Sequence, residues 1–481
     1  MSDEKYSAET GPGESHQFDR SDAPRTAEGL TDWTIPVIPS TRIDPEDWAW
    51  AHEQRKPVDP DITVDQVAAI LLVHQAAGWL PRALNALRRS GERAAVQIAV
   101  DLGSTDGSSD LLVAAVDEGL LDECVTASAD TTPGEGINLA IDRLSDGVTH
   151  IWILHDDVEV RRDSLTCMLR EASRKPHPDV LYPTLLKPAR HNYPEFIDEQ
   201  GQSVSTGGAR VLPVVDRGDI DQKQADPGPI LGGSTAGMFV RVDVWRRLGG
   251  FDPALPLFRD GVDFGWRANE AGMVVRTAPS CTIHHRQAGR GWQRESHLAP
   301  RPDVTDRLAG MRMVAARTGH PTRTSLALLV ASVWRFLVLM VGKAPSRAVD
   351  EWRSGLQLWR SRSVTREMTH RLQDFHAQCD PDDLENTNRL LPSRRSVWAR
   401  AVDRYAGDLS DRIHPWRNED GTTIDDLTGD DFTVRDHRSV VNPYTVMVSL
   451  MVVIGIVACR GLYGSGRATS TWLAPAPCGL A

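Results

Sequence analysis

The run ILHDDVEV (153–160) sets Asp156 and Asp157 side by side, directly after an apolar stretch. Two carboxylates at a strand end repel each other unless water or a cation compensates them. Joined by phosphate oxygens, they make a hard-ligand site for Mg2+ or Mn2+. The plain structural alternative is that one caps a helix beginning near Asp163 while the other faces water. A second acidic pair lies in LFRDGVDFGWRA (257–268), where Asp260 and Asp263 stand three apart at a predicted helix start and so share one face. Both can be caps, or one can serve as a general base if it reaches an acceptor hydroxyl. CTIHH then supplies His284 and His285 after a short strand, downstream of the paired acids, as metal-ligand candidates. Finally, VDLGSTDGSSD carries Asp101, Gly103, Ser104, Asp106 and Gly107. Its glycines let the backbone turn close to a ligand, and Asp101 can accept hydrogen bonds from a base or ribose. An ordinary Ser/Asp/Gly turn is the alternative there.

The elements that must position these groups are legible in the hydropathy. VAAILLV (67–73) reads as a strand covered on both faces. Leu80, Ala83, Leu84 and Leu87 follow at helical spacing. AVQIAV (95–100) is the next strand, then a helix opened by Ser108, Ser109 and Asp110, then ECVTA, a helix from about 136 to 144, and HIWIL (150–154). This alternation predicts a parallel sheet with covering helices, in which ligands bind beyond the carboxyl ends of the strands. Asp101 and the Asp156–Asp157 pair both fall at such ends. Further on, 201–215 is hairpin-like, and GPILGGSTAGMFVR (228–241) is a glycine-rich loop feeding a strand. Helices are expected over 242–248 and 263–272, with VVRTAP and CTIHH as short strands.

After about residue 300 the chain turns helical and amphipathic. LALLVASVWRFLVLMV (326–341), interrupted by Arg335, reads as a buried or interfacial helix rather than a span. PYTVMVSLMVVIGIVAC (443–459) is uncharged and lies between Arg438 and Arg460. Its length meets the lower limit of about 17 apolar residues for crossing a bilayer, so a C-terminal transmembrane helix is expected over 443–460.

The net charge of −12 is uneven: residues 1–65 hold 15 Asp+Glu against 6 Lys+Arg, leaving −3 for the rest. No basic excess points to nucleic acid. The polar N-terminus has no apolar signal core, and six scattered cysteines without a CxxC pair suit a reducing cytoplasm. The scattered tryptophans, Trp245, Trp334, Trp352, Trp359 and Trp398 among them, read as packing residues, with a membrane-facing role as the alternative. TPGEGINLAI contains G-x-G, but it lacks the third glycine and follows the third strand, which makes a poor dehydrogenase loop. The expected organisation is an acidic disordered segment (1–60), an α/β domain (61–300), a helical extension with acidic loops (301–440), the span (443–460) and a short tail (461–481).

Taken in order, VDLGSTDGSSD, LHDDVEV, LGGFDPALPLFRDGVDFGWRANEAG and a Pro-x-x-x-x-x-His element resemble the family 2 inverting glycosyltransferases of GT-A fold. The match covers about 65–290, and the trailing helices and span resemble actinobacterial membrane-associated cell-envelope members. The resemblance implies an α/β fold, a GT-A-type mostly parallel sheet flanked by helices, followed by the helical extension and span. It implies sugar transfer from a nucleotide-diphosphate donor to a glycolipid or polysaccharide acceptor, with Mg2+ or Mn2+, at the cytoplasmic face of the cell membrane. By the same resemblance Asp157 is the last acid of the metal-binding D-x-D, and His285 completes the metal site. His155 replaces the first acid, a departure. Asp101, Gly103, Ser104, Asp106 and Asp156 fall to the donor, and Gly232, Gly233, Ser234, Trp266 and Arg267 to the acceptor side. The acid that often acts as base is replaced by Gly261, so Asp260 or Asp263 must take that role. A nucleotidyltransferase is disfavoured because no glycine-rich, Lys/Arg-bearing loop follows the first strand. A non-catalytic scaffold rests on Gly261 and His155 alone.

Overall fold

The computed structural model describes residues 60–189, 194–223, 225–289, 294, 296–342, 344–393, 450–451 and 453–454. Its strands are β1 (Val67–Val73), β2 (Val96–Leu102), β3 (Glu123–Ala127), β4 (His150–His155), β5 (Val158–Val160), β6 (Val180–Leu186), β7 (Ile197–Glu199), β8 (Ser203–Val204), β9 (Arg210–Val211), β10 (Phe239–Arg241) and β11 (Val275–His285). The helices over the sheet are α1 (Leu80–Arg88), α2 (Ser108–Asp117), α3 (Pro133–Ile141), α4 (Ser164–Ala172), α5 (Val242–Leu248) and α6 (Asp260–Glu270). The later helices are α7 (Pro302–Ala316), α8 (Pro321–Val341), α9 (Pro345–Arg360), α10 (Arg362–His376) and α11 (Pro381–Asn388).

Alternation along β1 explains the layers. Val67, Ala69, Leu71 and Val73 point into one core with Leu80 and Leu84 of α1, Leu112 of α2 and Met168 of α4. Ala68, Ile70 and Leu72 point into the other, with Ile137 of α3, Trp245 of α5 and Phe264 of α6. All seven residues of β1 are buried, as a strand covered on both faces requires.

The main sheet runs β3-β2-β1-β4-β10-β6-β11-β5, with β7 on β6. β1, β2, β3 and β4 are parallel neighbours. β10 then enters antiparallel between β4 and β6, and β5 is antiparallel to β11, so the sheet is mixed beyond β4. VVRTAP and CTIHH join as the single strand β11, whose register against β6 shifts between Ala278 and Thr282. The hairpin expected over 201–215 is the small β8–β9 sheet.

The helical extension shares a core with the domain before it: Met313 of α7 and Met368 and Leu372 of α10 pack with Leu255, Val262 and Trp266. The buried alternative for 326–341 does not hold. Of α8, Ser325, Leu328 and Ser332 are buried, while Leu326, Val330, Trp334, Leu337 and Val341 are exposed. By length and composition alone α8 could cross a membrane. The acidic segment 1–59, the acidic loops after 393 and the tail 461–481 lie outside the described residues. So does the expected span 443–460, apart from Leu450, Met451, Val453 and Ile454, which are helical and exposed.

Candidate active site

The carboxyl ends of β1 and β4 meet β11 at a cavity of about 160 Å³. His155, Asp157 and His285 line it, and one ligand atom from each lies within 4.8 Å of the others. β4 delivers His155 as its last residue and the turn into β5 delivers Asp157. β11 ends on His285, paired in register with Val158, so one strand pair fixes the distance between the acid and the second histidine. His155 shares a hydrogen bond between Nε2 and the Thr235 hydroxyl (2.9 Å). Burial holds the His155 imidazole down to about 4 against the pull of Asp157, so it is neutral and has a lone pair to offer. Burial opposes the charge on Asp157, but His285 above all, with Arg294 behind it, holds that carboxyl well below the usual range. Burial likewise opposes the charged form of His285, and the Asp157 carboxylate more than reverses it.

His285 Nε2 stands 3.5 Å from Asp157, and its buried Nδ1 has no partner among the described residues. Once its proton is displaced, the His285 imidazole beside a neutral histidine and an ionised carboxylate completes a donor set that fits a divalent ion such as Mn2+. His155, Asp157 and His285 thus form a group of side chains that could hold a metal ion.

Asp156 does something else. Its carboxylate accepts from the His74 amide (2.8 Å) and the Trp79 indole (3.3 Å) and pairs with Arg294. It is fully buried and absent from the cavity wall, its carboxylate held by protein groups. The paired acids diverge, Asp156 toward Arg294 and Asp157 toward His285. Arg294 also lies over the Trp79 ring at 5.4 Å, and its buried Nε has no partner among the described residues. With Ser296, Leu298 and Ala299 it walls one side of the cavity.

The other expected donor residues are likewise spoken for. Asp101 is fully buried and accepts from the Ser104 amide (2.9 Å) and the Ser109 hydroxyl. The Ser104 hydroxyl accepts from the Gln75 amide (3.0 Å), and Asp106 from that of Ala77 (2.8 Å). Gly103 turns at φ +68°, where a Cβ would meet the Ala129 amide at 2.4 Å. These residues shape the loop ends rather than face the cavity, which is lined on that side by His74, Leu102, Ala129 and Thr131.

At the opposite end Asp260 lines the cavity with Thr235 and Phe258. Burial pushes its carboxyl up to about 6, against the pull of the Gly261 amide (2.9 Å). Asp263 lies outside the cavity wall: it pairs with Arg267 (2.8 Å) and Arg317 (2.9 Å), fully buried. To act as the base, Asp263 would have to be released by both guanidiniums. Trp266 and Arg267, expected on the acceptor side, do not line the cavity. Trp266 is packed in the core under Arg317, and Arg267 donates to the Leu248 and Gly250 carbonyls at 2.7 and 2.8 Å.

Gly261 is explained by packing. A Cβ there would sit 2.5 Å from the Gly233 carbonyl oxygen and 2.8 Å from Thr235, and one on Gly265 would meet Gly232 at 2.7 Å. The start of α6 thus rests backbone to backbone on the 232–235 loop, and Tyr182 pins it by donating to the Gly261 carbonyl (2.8 Å). Gly232 and Gly233 provide that seat, whereas Ser234 does line the cavity.

Sequence reasoning missed Arg294, Glu199, Arg210, Phe258 and Gln287, all on the cavity wall. Phe258 (φ 74°) and Gln287 (φ 55°) are two of the four non-glycine residues with left-handed backbone among the described ones. Such outliers gather at functional sites. Arg210 donates to the Phe258 carbonyl (3.2 Å) and pairs with Glu199 and Asp306. The legible signal was the arginine-rich stretch directly after the histidine pair.

No family model matches the chain. Two curated proteins of Mycobacterium tuberculosis, from strains CDC 1551 / Oshkosh and ATCC 25618 / H37Rv, are similar to it over 253 residues at 26% identity. Each is an N-acetylglucosaminyl-diphospho-decaprenol L-rhamnosyltransferase, and the match spans 49% of this chain and 81% of the relative. Among solved structures, GalNAc-T7 with UDP, GalNAc and Mn2+ matches at 10% identity and a TM-score of 0.40, over 53% of this chain and 51% of that one. The mannosyltransferase PcManGT of Pyrobaculum calidifontis, in complex with GDP-Man and Mn2+, matches at 15% and 0.39, over 66% and 93%. S. aureus TarS 1–349 with UDP matches at 12% and 0.34, over 62% and 91%.

Proposed function

We propose that this glycosyltransferase moves a sugar, with inversion, from a nucleotide-diphosphate donor to a hydroxyl of a lipid-linked or polysaccharide envelope acceptor. The observation that carries the proposal is the convergence of His155, Asp157, His285 and Asp260 on one cavity at the carboxyl ends of parallel strands. The transferase domain is 61–300, and 301–440 extends it, working at the cytoplasmic face of the membrane.

His155, Asp157 and His285 would hold Mn2+ or Mg2+. When bound, the ion supplies positive charge against the diphosphate as it leaves. Arg294, with its fork of N–H donors, is placed to take diphosphate oxygens beside that trio. For it to do so the wall it forms with Ser296 to Ala299 has to yield, since 160 Å³ is smaller than the roughly 300–1,000 Å³ of common ligand pockets. Asp260 takes the proton from the acceptor hydroxyl on one side of the sugar while the diphosphate departs from the other, and that opposition inverts the anomeric centre. Its uncompensated burial suits the task, because a carboxylate with a raised pKa is a stronger base than one held in an ion pair.

The test is release of nucleoside diphosphate from a panel of nucleotide sugars that includes an L-rhamnosyl donor, with Mn2+, Mg2+ or EDTA. Metal-dependent release by the intact chain, lost in Asp157→Ala together with metal-dependent donor binding, is the expected result. Full donor affinity in that variant removes the metal assignment, and absence of release across the panel with every acceptor tried removes the transferase reading.

A further inference from the structure

We propose that the chain docks on a membrane surface bearing anionic phospholipid headgroups through the open face of α8 and the basic cleft at its start. This deepens the membrane-facing part of the proposed function and does not depend on the roles given to Asp260 or the metal ligands.

Along α8, Leu326, Val330, Trp334, Leu337 and Val341 recur at intervals of four, four, three and four, which is one stripe of a helix. All are exposed, Val330 by 61%, Trp334 by 68% and Val341 by 85%. A stripe of this length is more than the scattered apolar residues an ordinary surface carries. The packing reading of the tryptophans holds for Trp245, which is buried, and fails for Trp334.

The opposite face of α8 decides how it meets lipid. Ser325, Leu328 and Ser332 are buried, and Ser332 packs so tightly on α9 that a Cβ on Gly355 would meet it at 2.7 Å. At mid-helix Arg335 pairs with Glu351 of α9 (2.6 Å), which Arg307 of α7 also holds (2.8 Å). A helix bound to protein along one side by small residues and an ion pair cannot be ringed by acyl chains. It can lie along the interface with only its outer stripe immersed. Trp352, one turn before Gly355 on α9 and 38% exposed, adds an aromatic ring at the same seam.

Charge selects the kind of surface. At the N-terminal end of α8 an open cleft of about 390 Å³ is lined by His320, Arg323, Arg366 and His370, with no carboxylate in its wall. Arg323 and Arg366 are exposed. Arg323 lies on the apolar stripe itself, one turn before Leu326, so a headgroup phosphate taken there lets the stripe enter the bilayer beneath it. The positive end of the α8 helix dipole points the same way.

The experiment is sedimentation of the full chain with phosphatidylcholine vesicles, with or without 30 mol% phosphatidylglycerol, at low and at physiological salt. The expected result is preference for the anionic vesicles by about tenfold or more, weakened by salt. Val330→Glu with Trp334→Glu should cut binding at least tenfold on both vesicle types. Arg323→Glu with Arg366→Glu should remove the anionic preference and leave the weak neutral binding. All these positions are exposed, so thermal unfolding of the variants should match the parent. Vesicle binding that survives the α8 pair overturns the proposal and moves the contact elsewhere, the 443–459 segment being the next candidate. Conversion of a dimer to a monomer by Trp334→Glu, with no vesicle binding by the parent, also overturns it and makes the stripe a contact between copies. Release of nucleoside diphosphate in lipid-free buffer, equal in parent and variants, keeps a failure here separate from a failure of the transferase reading.

Discussion

The two ends of the cavity treat their carboxylates in opposite ways. At the β4–β11 end Asp157 lies beside His285, accepts from the Ala288 amide (2.8 Å) and feels Arg294, so it is held ionised. At the α6 end Asp260 has one amide donor and no ion pair among the described residues, and burial lifts its carboxyl to about 6. Asp263, one turn further along the same helix, repeats the first condition with two guanidiniums. Three aspartates within one site region thus divide by their compensation: two are held ionised by neighbouring cations, and one is left buried with a raised pKa.

The comparison breaks if the unpaired acid proves dispensable. Asp260→Asn should lower turnover by about 10²–10⁴-fold, the range of general-base contributions, with donor affinity measured by calorimetry largely unchanged. Unchanged turnover would leave the cavity without a base at that end. The same group sharpens the contrast through pH. Protonated Asp260 cannot accept a proton, so kcat should rise about tenfold per pH unit up to about 6 and level off above, and Asp260→Asn should lose that limb.

Asp263→Asn tests the strut. It leaves Arg267 and Arg317 short of their buried partner and should cost about 3–5 kcal/mol of stability in urea unfolding, while the folded fraction keeps its turnover. Smallest of all, Gly261→Ala should cost about 1–3 kcal/mol by overpacking the seat on Gly233 and Thr235. Gly261→Asp should be worse still and should not raise turnover, even though it adds a carboxylate beside Asp260.

The first half of the sheet was legible because its information is local. VAAILLV and HIWIL state their burial in seven and five letters, and β1 and β4 have close to those limits. The grouping of His155, Asp157 and His285 at the carboxyl edge of the sheet was legible only through the family resemblance. Compensation was not. Nothing in LFRDGVDFGWRA says that Arg317, more than fifty residues further along and just past the end of α7, claims Asp263 and leaves Asp260 alone. Likewise the glycines at 232, 233, 261 and 265 look like loop or helix defects until two backbones are seen in contact. Asp101 and Asp156, expected at the donor, lie at the predicted edge of the sheet, but their partners come from the neighbouring loop and from Arg294, which spacing does not encode.

Strand β10 has a consequence for biosynthesis. It closes the flank of β4 in mid-sheet, yet it is made more than 80 residues after β4 leaves the ribosome. Until Phe239–Arg241 arrives, one edge of β4 offers unpaired amides and carbonyls next to an apolar surface, an arrangement prone to pairing with other chains. Nascent chains halted between those two strands should therefore lean on chaperones more heavily than chains released after β10.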